Sequence, residues 1–328
     1  MPGTQRTPSP YHAARRRHRD KRSSTGKRIT LQDRDLLWFR MIHRHGPLSS
    51  SYLHTFSKGT HRSEKRALDR LTDLYHEAET PHGGPYLDRP WQQFKTFDAR
   101  YQDLVYDLAS AAETALKEHG LWSDYAAAPS GPWLHRYMVS SITASIELAT
   151  LDDASLAYIP QAEILARAKT ALRYPVPLTD SQTGRRETRD LIPDALFGLE
   201  YRQRTGRMYR FFVVEADRGT EPSKASRFNR KSHLRNLLQY REYIGNGLYK
   251  RHLNLSAPLL VLNVSTSEQT QARMITLVNE LSDQGISYQL FQTCEQFGRV
   301  FTPPKPMPQL LRGEWVRAAR PSLRIDLP

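Results

Sequence analysis

The chain has 328 residues, a formal net charge of +14 and a mean hydropathy of −0.65. No apolar run approaches the roughly 20 residues that a membrane-spanning helix needs. The one cysteine, Cys294, excludes an intrachain disulfide and a cysteine zinc site. This length indicates two or three domains, and such sparing use of cysteine is typical of a reducing compartment. We therefore expect a soluble, cytoplasmic protein with no membrane partner.

Residues 1–28 have a one-sided charge. Nine of them are Lys or Arg, whereas Asp20 is the one acidic residue. A segment with so much charge and so little to bury is predicted to be a disordered basic arm. Arg15, Arg16 and Arg17 would contact DNA phosphates without reading the base sequence. The alternative is a solvated tail with no binding role.

Residues 29–120 are predicted to form a winged helix-turn-helix domain. The expected helices span about 30–45, 49–56 and 60–76, and the expected strands span 86–87 and 93–97. Three helices followed by a hairpin is the order of elements in that fold. One more helix is expected at 104–118, where apolar residues recur at helical spacing. Residues 121–132, rich in Ala, Pro, Ser and Gly, are predicted to be a linker.

The third of these helices is the one expected to enter a DNA major groove. Its outward face carries the basic residues Arg62, Lys65, Arg66 and Arg70. Such side chains suit phosphates and the edges of guanine bases. The alternative is a solvated helix face, or a face that contacts another protein.

The second domain, 133–302, is predicted to belong to the α/β class, because helices and strands alternate along it. Helices are expected at 134–151, 224–244 and 268–281, and strands at 191–201, 208–217, 258–264 and 288–293. The run from Pro258 to Val264 is almost continuously apolar, which is typical of a strand buried on both faces. Residues 303–328, rich in Pro and basic residues, are expected to be a peripheral tail.

Three carboxylates lie at the ends of two strands that are predicted to pair as a hairpin. Glu215 and Asp217 share a face because they are two residues apart on one strand. Asp194 lies near the end of the neighbouring strand. Two or three such carboxylates, together with a phosphate, are typical ligands of Mg²⁺ or Mn²⁺. The alternative is a strand end held by salt bridges to Arg210 or Lys231.

These residues also carry a resemblance to a known family. Pro193-Asp194, then Glu215-x-Asp217-Arg218-Gly219-Thr220-Glu221 and a basic helix, resemble the replication-relaxation proteins of plasmids and integrative elements. The resemblance covers roughly residues 29–295. It implies a winged helix joined to a domain similar to the PD-(D/E)XK nuclease superfamily. The implied role is replication initiation, DNA relaxation or conjugative mobilisation, with a relaxase-like nicking activity in some relatives.

The resemblance assigns roles to particular residues. Asp194 and Glu215 match the two acidic metal ligands of the nuclease superfamily. Asp217 stands where that superfamily has a lysine, so Lys231 on the next helix is expected to stabilise the developing negative charge. Glu147, on the helix before the sheet, is a further candidate ligand. The catalytic set implied is therefore Asp194, Glu215, Asp217 and Lys231, with Mg²⁺ or Mn²⁺ as the cofactor of a catalytic form.

The charge around this region favours a nucleic acid as the partner. Residues 200–251 contain thirteen Lys or Arg against five Asp or Glu. We expect duplex DNA at the winged helix and single-stranded DNA at the nuclease-like domain, together with replication or conjugation proteins. A metal-dependent endonuclease or relaxase is one reading, in which Tyr240 or Tyr243 is a candidate nucleophile. The others are a non-catalytic initiator or transcriptional regulator, and a structural adaptor.

Overall fold

The computed structural model describes residues 17–328 apart from 61–62, 96–101, 127–130, 180–183, 185, 220–221, 224–231 and 298–301. The chain divides into two compact units. The first comprises the chain up to His43 and Pro47–Trp122, and the second comprises Arg44–Gly46 and Ser123–Pro328. Within the described residues, every helix is too short or too polar to cross a bilayer.

The first unit combines helices with a small sheet. Its elements are α1 (Asp33–His45, which ends in the second unit), β1 (Leu48–Ser49), α2 (Ser50–Phe56), α3 (Glu64–His76), β2 (Leu87–Asp88), a 3-10 helix (Trp91–Lys95), β3 (Val105–Leu108) and α4 (Ser110–Glu118). The three strands lie in the order β1-β3-β2, and β3 is antiparallel to both neighbours.

The helices of this unit form where local signals and apolar spacing agree. The backbone N–H of Arg66 donates to the hydroxyl of Ser63, which caps the start of α3. Ala67, Leu71 and Leu74 follow at helical spacing and are fully buried. The predicted second and third helices are thereby confirmed, although the third starts at Glu64 rather than at residue 60.

The third strand of this sheet was predicted wrongly. The strand expected at 93–97 is replaced, in its described part, by the 3-10 helix, and residues 96–97 lie outside the described residues. The strand is instead β3, within the segment that was expected to be the helix 104–118. Spacing alone suits a helix there, but the backbone of Val105 and its neighbours pairs with both β1 and β2. Tertiary pairing therefore overrides a local helical pattern.

From Arg17 onward, the N-terminal segment contacts other parts of the first unit. Arg17 pairs with the buried carboxylate of Glu77 at 2.7 Å. The same carboxylate accepts hydrogen bonds from the hydroxyls of Ser24 and Thr25. Residues 17–28 therefore differ from the expected disordered arm, because an internal acid offsets part of their charge. Residues 1–16, with Arg15 and Arg16, lie outside the described residues.

The second unit contains more elements than the sequence indicated. They are α5 (Trp133–Thr150), β4 (Leu156–Pro160), α6 (Gln161–Ala168), β5 (Tyr174–Thr179), β6 (Arg186–Leu191), β7 (Ala195–Gln203), β8 (Gly206–Asp217), α7 (His233–Tyr240), a π-helical turn (Arg241–Gly245), α8 (Leu248–His252), β9 (Leu259–Ser265), α9 (Glu268–Leu281), β10 (Gln289–Thr293), a 3-10 turn (Glu295–Phe297), α10 (Gln309–Arg312), β11 (Glu314–Arg317) and β12 (Arg320–Arg324). Strands β5 and β6 form a separate two-stranded sheet.

The large sheet of this unit is mixed, with the strand order β12-β11-β10-β9-β8-β7-β4. Strands β4, β7 and β8 form an antiparallel series, and β9 lies parallel to both β8 and β10. The predicted hairpin and the predicted buried strand are β7–β8 and β9, so both are confirmed. The α/β class is confirmed as well.

Side chains of the central strands pack on both faces of the sheet. Leu196, Val213 and Val261 are buried in one apolar cluster, which also contains Tyr240 of the segment after β8. Phe212, the strand neighbour of Val213, stacks on Phe197 at 5.0 Å between ring centroids. Strand alternation therefore assigns Glu215 and Asp217 to the face of Val213.

The C-terminal residues belong to the sheet, in contrast to the peripheral tail expected at 303–328. Strand β11 pairs antiparallel with β10, and β12 pairs with β11. Trp315 and Ile325 are fully buried. Apolar side chains at these positions anchor a segment whose overall composition is polar and rich in Pro.

Candidate functional site

Asp194 lies directly before β7 and beside the end of β8. The register pairs Ala195 with Val214. The N–H of Asp194 donates to the carbonyl of Val214 at 3.1 Å, and the carboxylate of Asp194 accepts from the N–H of Ala216, the residue after Glu215. These bonds hold Asp194 next to the part of β8 that carries Glu215.

Both oxygens of Asp194 are held by donors from different elements. The backbone N–H of Ala216 donates to Oδ2 at 2.8 Å. His135, in the first turn of α5, places Nε2 3.0 Å from Oδ1. These contacts fix the orientation of the carboxylate, and a carboxylate has about four lone-pair sites in all. Asp194 therefore retains capacity for a further ligand.

Glu215 accepts a short hydrogen bond from the hydroxyl of Tyr240 at the end of α7. Tyr240 is fully buried. Burial, followed by the charges of Glu215 and Asp194, raises the pKa of the Tyr240 hydroxyl well above its ordinary value. Tyr240 therefore remains protonated at neutral pH and acts as a donor that fixes Glu215.

Asp217, at the end of β8, has a different set of partners. The backbone N–H of Gly219 donates to its Oδ1 at 2.9 Å, and Gly219 has a φ of +75°, in the left-handed region that favours glycine. His233, the first residue of α7, places Nε2 3.2 Å from Asp217 Oδ2. Asp217 is therefore engaged by the turn after β8 and by the start of the next helix.

A small cleft opens at the carboxyl ends of the parallel strands β8 and β9. It has a volume of about 20 Å³. Its lining residues are Glu215, Ala216, Asp217, His233, Asn236, Leu237, Asn263 and Met274. A volume of this order accommodates about one water-sized species. Carboxyl ends of parallel strands are also the usual location of ligand sites in open α/β sheets.

The described residues contain no group of three or more His, Cys, Asp or Glu side chains placed to hold a metal ion. Asp194 contacts α5, whereas Glu215 and Asp217 line the cleft. The carboxylate oxygens of Asp194 and Glu215 are the ligands that the site offers. Mg²⁺ is usually bound through one or two carboxylates, waters and substrate phosphates. These two carboxylates thus fit Mg²⁺ or Mn²⁺ only if water and phosphate supply the remaining ligands.

The positive charge expected beside the acids is only partly described. Lys231 lies outside the described residues. Arg218 directly follows β8, and burial lowers the pKa of its guanidinium, although the charge of Asp217 opposes that shift. The guanidinium of arginine is not deprotonated in proteins, so Arg218 remains charged near neutral pH.

Glu147 is not part of this site, contrary to its expected role as a further metal ligand. It pairs with Arg44, and His45 Nε2 lies 2.8 Å from its Oε2. Twelve residues of α5 separate Glu147 from His135, which is about 18 Å along a helix. Since His135 contacts Asp194, Glu147 is too distant to share a metal ion with Asp194.

The two tyrosines considered as nicking nucleophiles are both buried. Tyr240 donates to Glu215, and Tyr243 lies 2.7 Å from His252 Nδ1 through its hydroxyl. Burial raises the pKa of both hydroxyls far above neutral pH. Neither side chain is accessible to a DNA phosphate in this conformation.

The residues predicted to bind DNA fall into three groups. Lys65 and Arg66 are exposed on α3. Arg70 is turned inward, where its guanidinium donates to both carboxylate oxygens of the buried Asp35, at 3.1 and 2.6 Å. Arg17 pairs with Glu77 as described above. Arg62, together with Arg15 and Arg16, lies outside the described residues.

His135 and His233 were missed by sequence reasoning. Each is a single histidine without a second ligand at a metal-binding spacing, so the sequence offers no local signal for it. Each histidine contacts an acid that is distant in the sequence. His135 contacts Asp194, 59 residues away, and His233 contacts Asp217, 16 residues away. A hint for His233 was its place near the start of the helix that follows the acidic strand.

Comparison with known proteins gives one match. The family model described as replication-relaxation matches residues 39–257. This range includes most of the first unit, and it extends in the second unit past β8 to just after α8. No curated protein and no solved structure matches the chain.

Proposed function

Because the chain belongs to the replication-relaxation family, we propose that it is a DNA-binding protein that acts in the replication or mobilisation of a mobile element. In this proposal the first unit binds duplex DNA as a winged helix. The second unit is a PD-(D/E)XK-like domain that nicks one strand in the presence of Mg²⁺. The family supports a role in replication or mobilisation, and the two biochemical activities are the proposal.

The order of elements in the first unit supports DNA binding. Helix α1, β1, α2, α3 and then the strands β2 and β3 follow in the winged-helix order, and β3 lies between β1 and β2. The exposed Lys65 and Arg66 are on α3, the helix that would enter the major groove. We assign the DNA contact to these two residues, since the guanidinium of Arg70 is engaged by Asp35.

The topology of the second unit supports the nuclease-like assignment. Helix α5 precedes the antiparallel strands β4, β7 and β8, and α7 then leads to β9, parallel to β8. Setting aside the inserted α6 and the β5–β6 hairpin, this is an α-β-β-β-α-β unit. The two acids of the resemblance lie at the start of the second of these strands and near the end of the third.

The placement of Asp194 directly before β7, next to the part of β8 that carries Glu215, is the observation that carries the nicking proposal. His135 and the backbone N–H of Ala216 orient Asp194. Tyr240 holds Glu215 from the buried side of the sheet. The two carboxylates would hold Mg²⁺, which would polarise the scissile phosphate and lower the pKa of an attacking water. Lys231 and Arg218 are the candidates to offset charge that develops on the phosphate.

A second candidate is a non-catalytic initiator or transcriptional regulator with an inactive nuclease-like domain. Two observations favour it. Asp217 occupies the position of the superfamily lysine and pairs with His233. The described residues also hold no cluster of three metal-binding side chains. In this case the acids would serve to hold strand ends and helices together.

Plasmid nicking separates the two candidates. The full-length protein is incubated with supercoiled plasmid in Mg²⁺, in Mn²⁺ and in EDTA, and relaxed circles are measured on agarose gels. Nicking is expected with either metal ion but not with EDTA. Asp194→Asn and Glu215→Gln, which keep side-chain size, should abolish it.

Asp283→Asn is the matched control, because it removes one negative charge at an exposed position of the same unit. It should nick at the wild-type rate. Binding of each variant to labelled duplex is measured in parallel. Plasmid that stays supercoiled while duplex binding is tight would support the non-catalytic candidate. Nicking that persists in both acid variants would refute the assignment of the site.

A further inference from the structure

Trp91 is presented to solvent by the first unit. It is the first residue of the 3-10 helix between β2 and β3, and 61% of its surface is exposed. Trp38 and Trp315, in contrast, are fully buried. Tryptophan is enriched at binding interfaces, where its ring supplies a large contact area. An exposed indole at a fixed position is therefore a candidate contact for a partner.

The backbone that presents Trp91 is fastened to the sheet through Gln93. The side-chain amide of this buried residue donates to the carbonyls of Val105, at 2.9 Å, and Pro90, at 3.0 Å. The N–H of Val105 donates in turn to the amide oxygen of Gln93 at 2.9 Å. The 3-10 helix is thus held as if it were a neighbouring strand. A partner that binds Trp91 would then lose less conformational entropy in ordering this segment.

Lys95, at the other end of the same helix, gives this surface its charge. Its ammonium lies 4.2 Å from the centroid of the Trp91 ring. A cation at this distance is attracted by the π-electrons of the ring and restricts its orientation. The exposed pair therefore combines an aromatic ring with one positive charge. Proteins that bind single-stranded nucleic acids use these two features, the ring to stack on a base and the charge to contact a phosphate.

We propose that Trp91 stacks on an unpaired base of single-stranded DNA while Lys95 contacts the adjacent phosphate. The inference rests on the DNA binding proposed above and adds an unpaired strand as a substrate of the first unit. A duplex offers few base faces, because its bases are stacked on one another, whereas a single strand exposes them. Base–aromatic stacking is also insensitive to base identity, so the contact would not depend on sequence.

Titration of the full-length protein with oligo(dT) tests this proposal, with tryptophan fluorescence and electrophoretic mobility as the two readouts. Oligo(dT) should quench the wild-type protein, and Trp91→Phe should lose most of the quench but retain most of the affinity. Trp91→Ala should bind oligo(dT) about 5-fold to 150-fold more weakly, with duplex affinity unchanged. Lys95→Ala should lower the slope of log K against log salt by about 0.7.

Leu151→Ala is the matched control, because Leu151 is 62% exposed in the second unit. It should leave oligo(dT) binding unchanged. Wild-type affinity in Trp91→Ala would overturn the inference, and so would an equal loss for oligo(dT) and duplex. A change in self-association of Trp91→Ala without a change in DNA binding would assign Trp91 to a protein interface and also overturn it. Wild-type protein that binds neither DNA would refute the proposed function itself.

Discussion

Removing the exposed charges of α3 should weaken DNA binding without lowering stability, whereas removing Arg70 should do the reverse. Lys65 and Arg66 point into solvent. Arg70 lies against Asp35, whose side chain is fully buried, with N–O distances of 3.1 and 2.6 Å. The three residues lie on one helix and have the same charge, so the structure separates a binding role from a structural one.

The expected magnitudes follow from these environments. Each phosphate contact contributes about 0.9 to the slope of log K against log salt for a duplex. When salt is lowered from 200 to 50 mM, the affinity of a variant that lacks one contact therefore rises roughly 3.5-fold less than that of the wild-type protein. Arg70→Ala leaves the buried carboxylate of Asp35 without its cationic partner, although the N–H of Gln32 still donates to it, and such a loss costs about 3–5 kcal/mol of folding free energy. An exposed lysine or arginine contributes at most about 1 kcal/mol.

The assay measures duplex affinity at four salt concentrations and unfolding by urea for each full-length variant. Lys65→Ala and Arg66→Ala should each lower the slope by about one and leave the urea midpoint unchanged. Arg167→Ala removes an exposed arginine of α6 in the second unit and should change neither quantity. Wild-type slopes in both α3 variants would refute the assigned DNA contact. A wild-type midpoint in Arg70→Ala would refute the structural role of its ion pair.

Three further predictions concern stability. His76 is buried, and burial lowers its pKa to about 4 from about 6.5, so folding opposes its protonation. The variant His76→Asn keeps an acceptor for the N–H of Ser23. As pH falls from 6.5 to 4, the free energy of unfolding of the wild-type protein should therefore decrease by up to about 3 kcal/mol more than that of His76→Asn. Equal decreases in the two proteins, measured by urea unfolding at both pH values, would contradict this. Glu147→Gln should lower stability by about 3–5 kcal/mol but leave Mn²⁺ binding intact, and lost Mn²⁺ affinity would return Glu147 to the metal site. Gly198→Ala should cost about 1–3 kcal/mol, because the added methyl would lie 2.8 Å from the ring of Phe211, and an unchanged melting temperature would count against the described β7–β8 packing.

The elements that the sequence predicted well have strong local signals. Helix α9 has the predicted bounds, and Ser267 caps it by accepting from the N–H of Thr270. Strand β9 is almost continuously apolar. The β7–β8 hairpin has Arg204-Thr205 at its turn and Gly206 at the start of β8, where φ is +141°. In each case local preference and tertiary environment favour the same structure.

The missed elements lack such signals. Strand β5 carries Pro175 and Pro177, and Arg186–Leu191 of β6 is mostly polar. Both strands belong to a two-stranded sheet, in which each is an edge strand and tolerates such residues. Strands β11 and β12 lie in the predicted tail, because prolines and basic residues surround Trp315. The pairing of β11 with β10, and of β12 with β11, depends on partner strands that local composition does not reveal.

The candidate site was predictable in its acids and not in their partners. Spacing along two strands was enough to select Asp194 and Glu215, and the hydrogen bond from Ala216 holds Asp194 beside β8. The roles of His135 and Tyr240 depend on how α5 and α7 pack on the sheet, and the sequence indicated Tyr240 as a candidate nucleophile rather than as a donor to Glu215. Glu147 was misplaced because its helix was identified without knowing which end lies beside the acids.

Anomalous diffraction from crystals of the full-length protein soaked in Mn²⁺ would show whether Asp194 and Glu215 bind a metal ion together. We expect a difference peak between the two carboxylates, within about 2.0–2.4 Å of an oxygen from each, and no such peak in crystals of Asp194→Asn. Wild-type crystals with an occupied Mn²⁺ elsewhere and nothing between these two acids would contradict it.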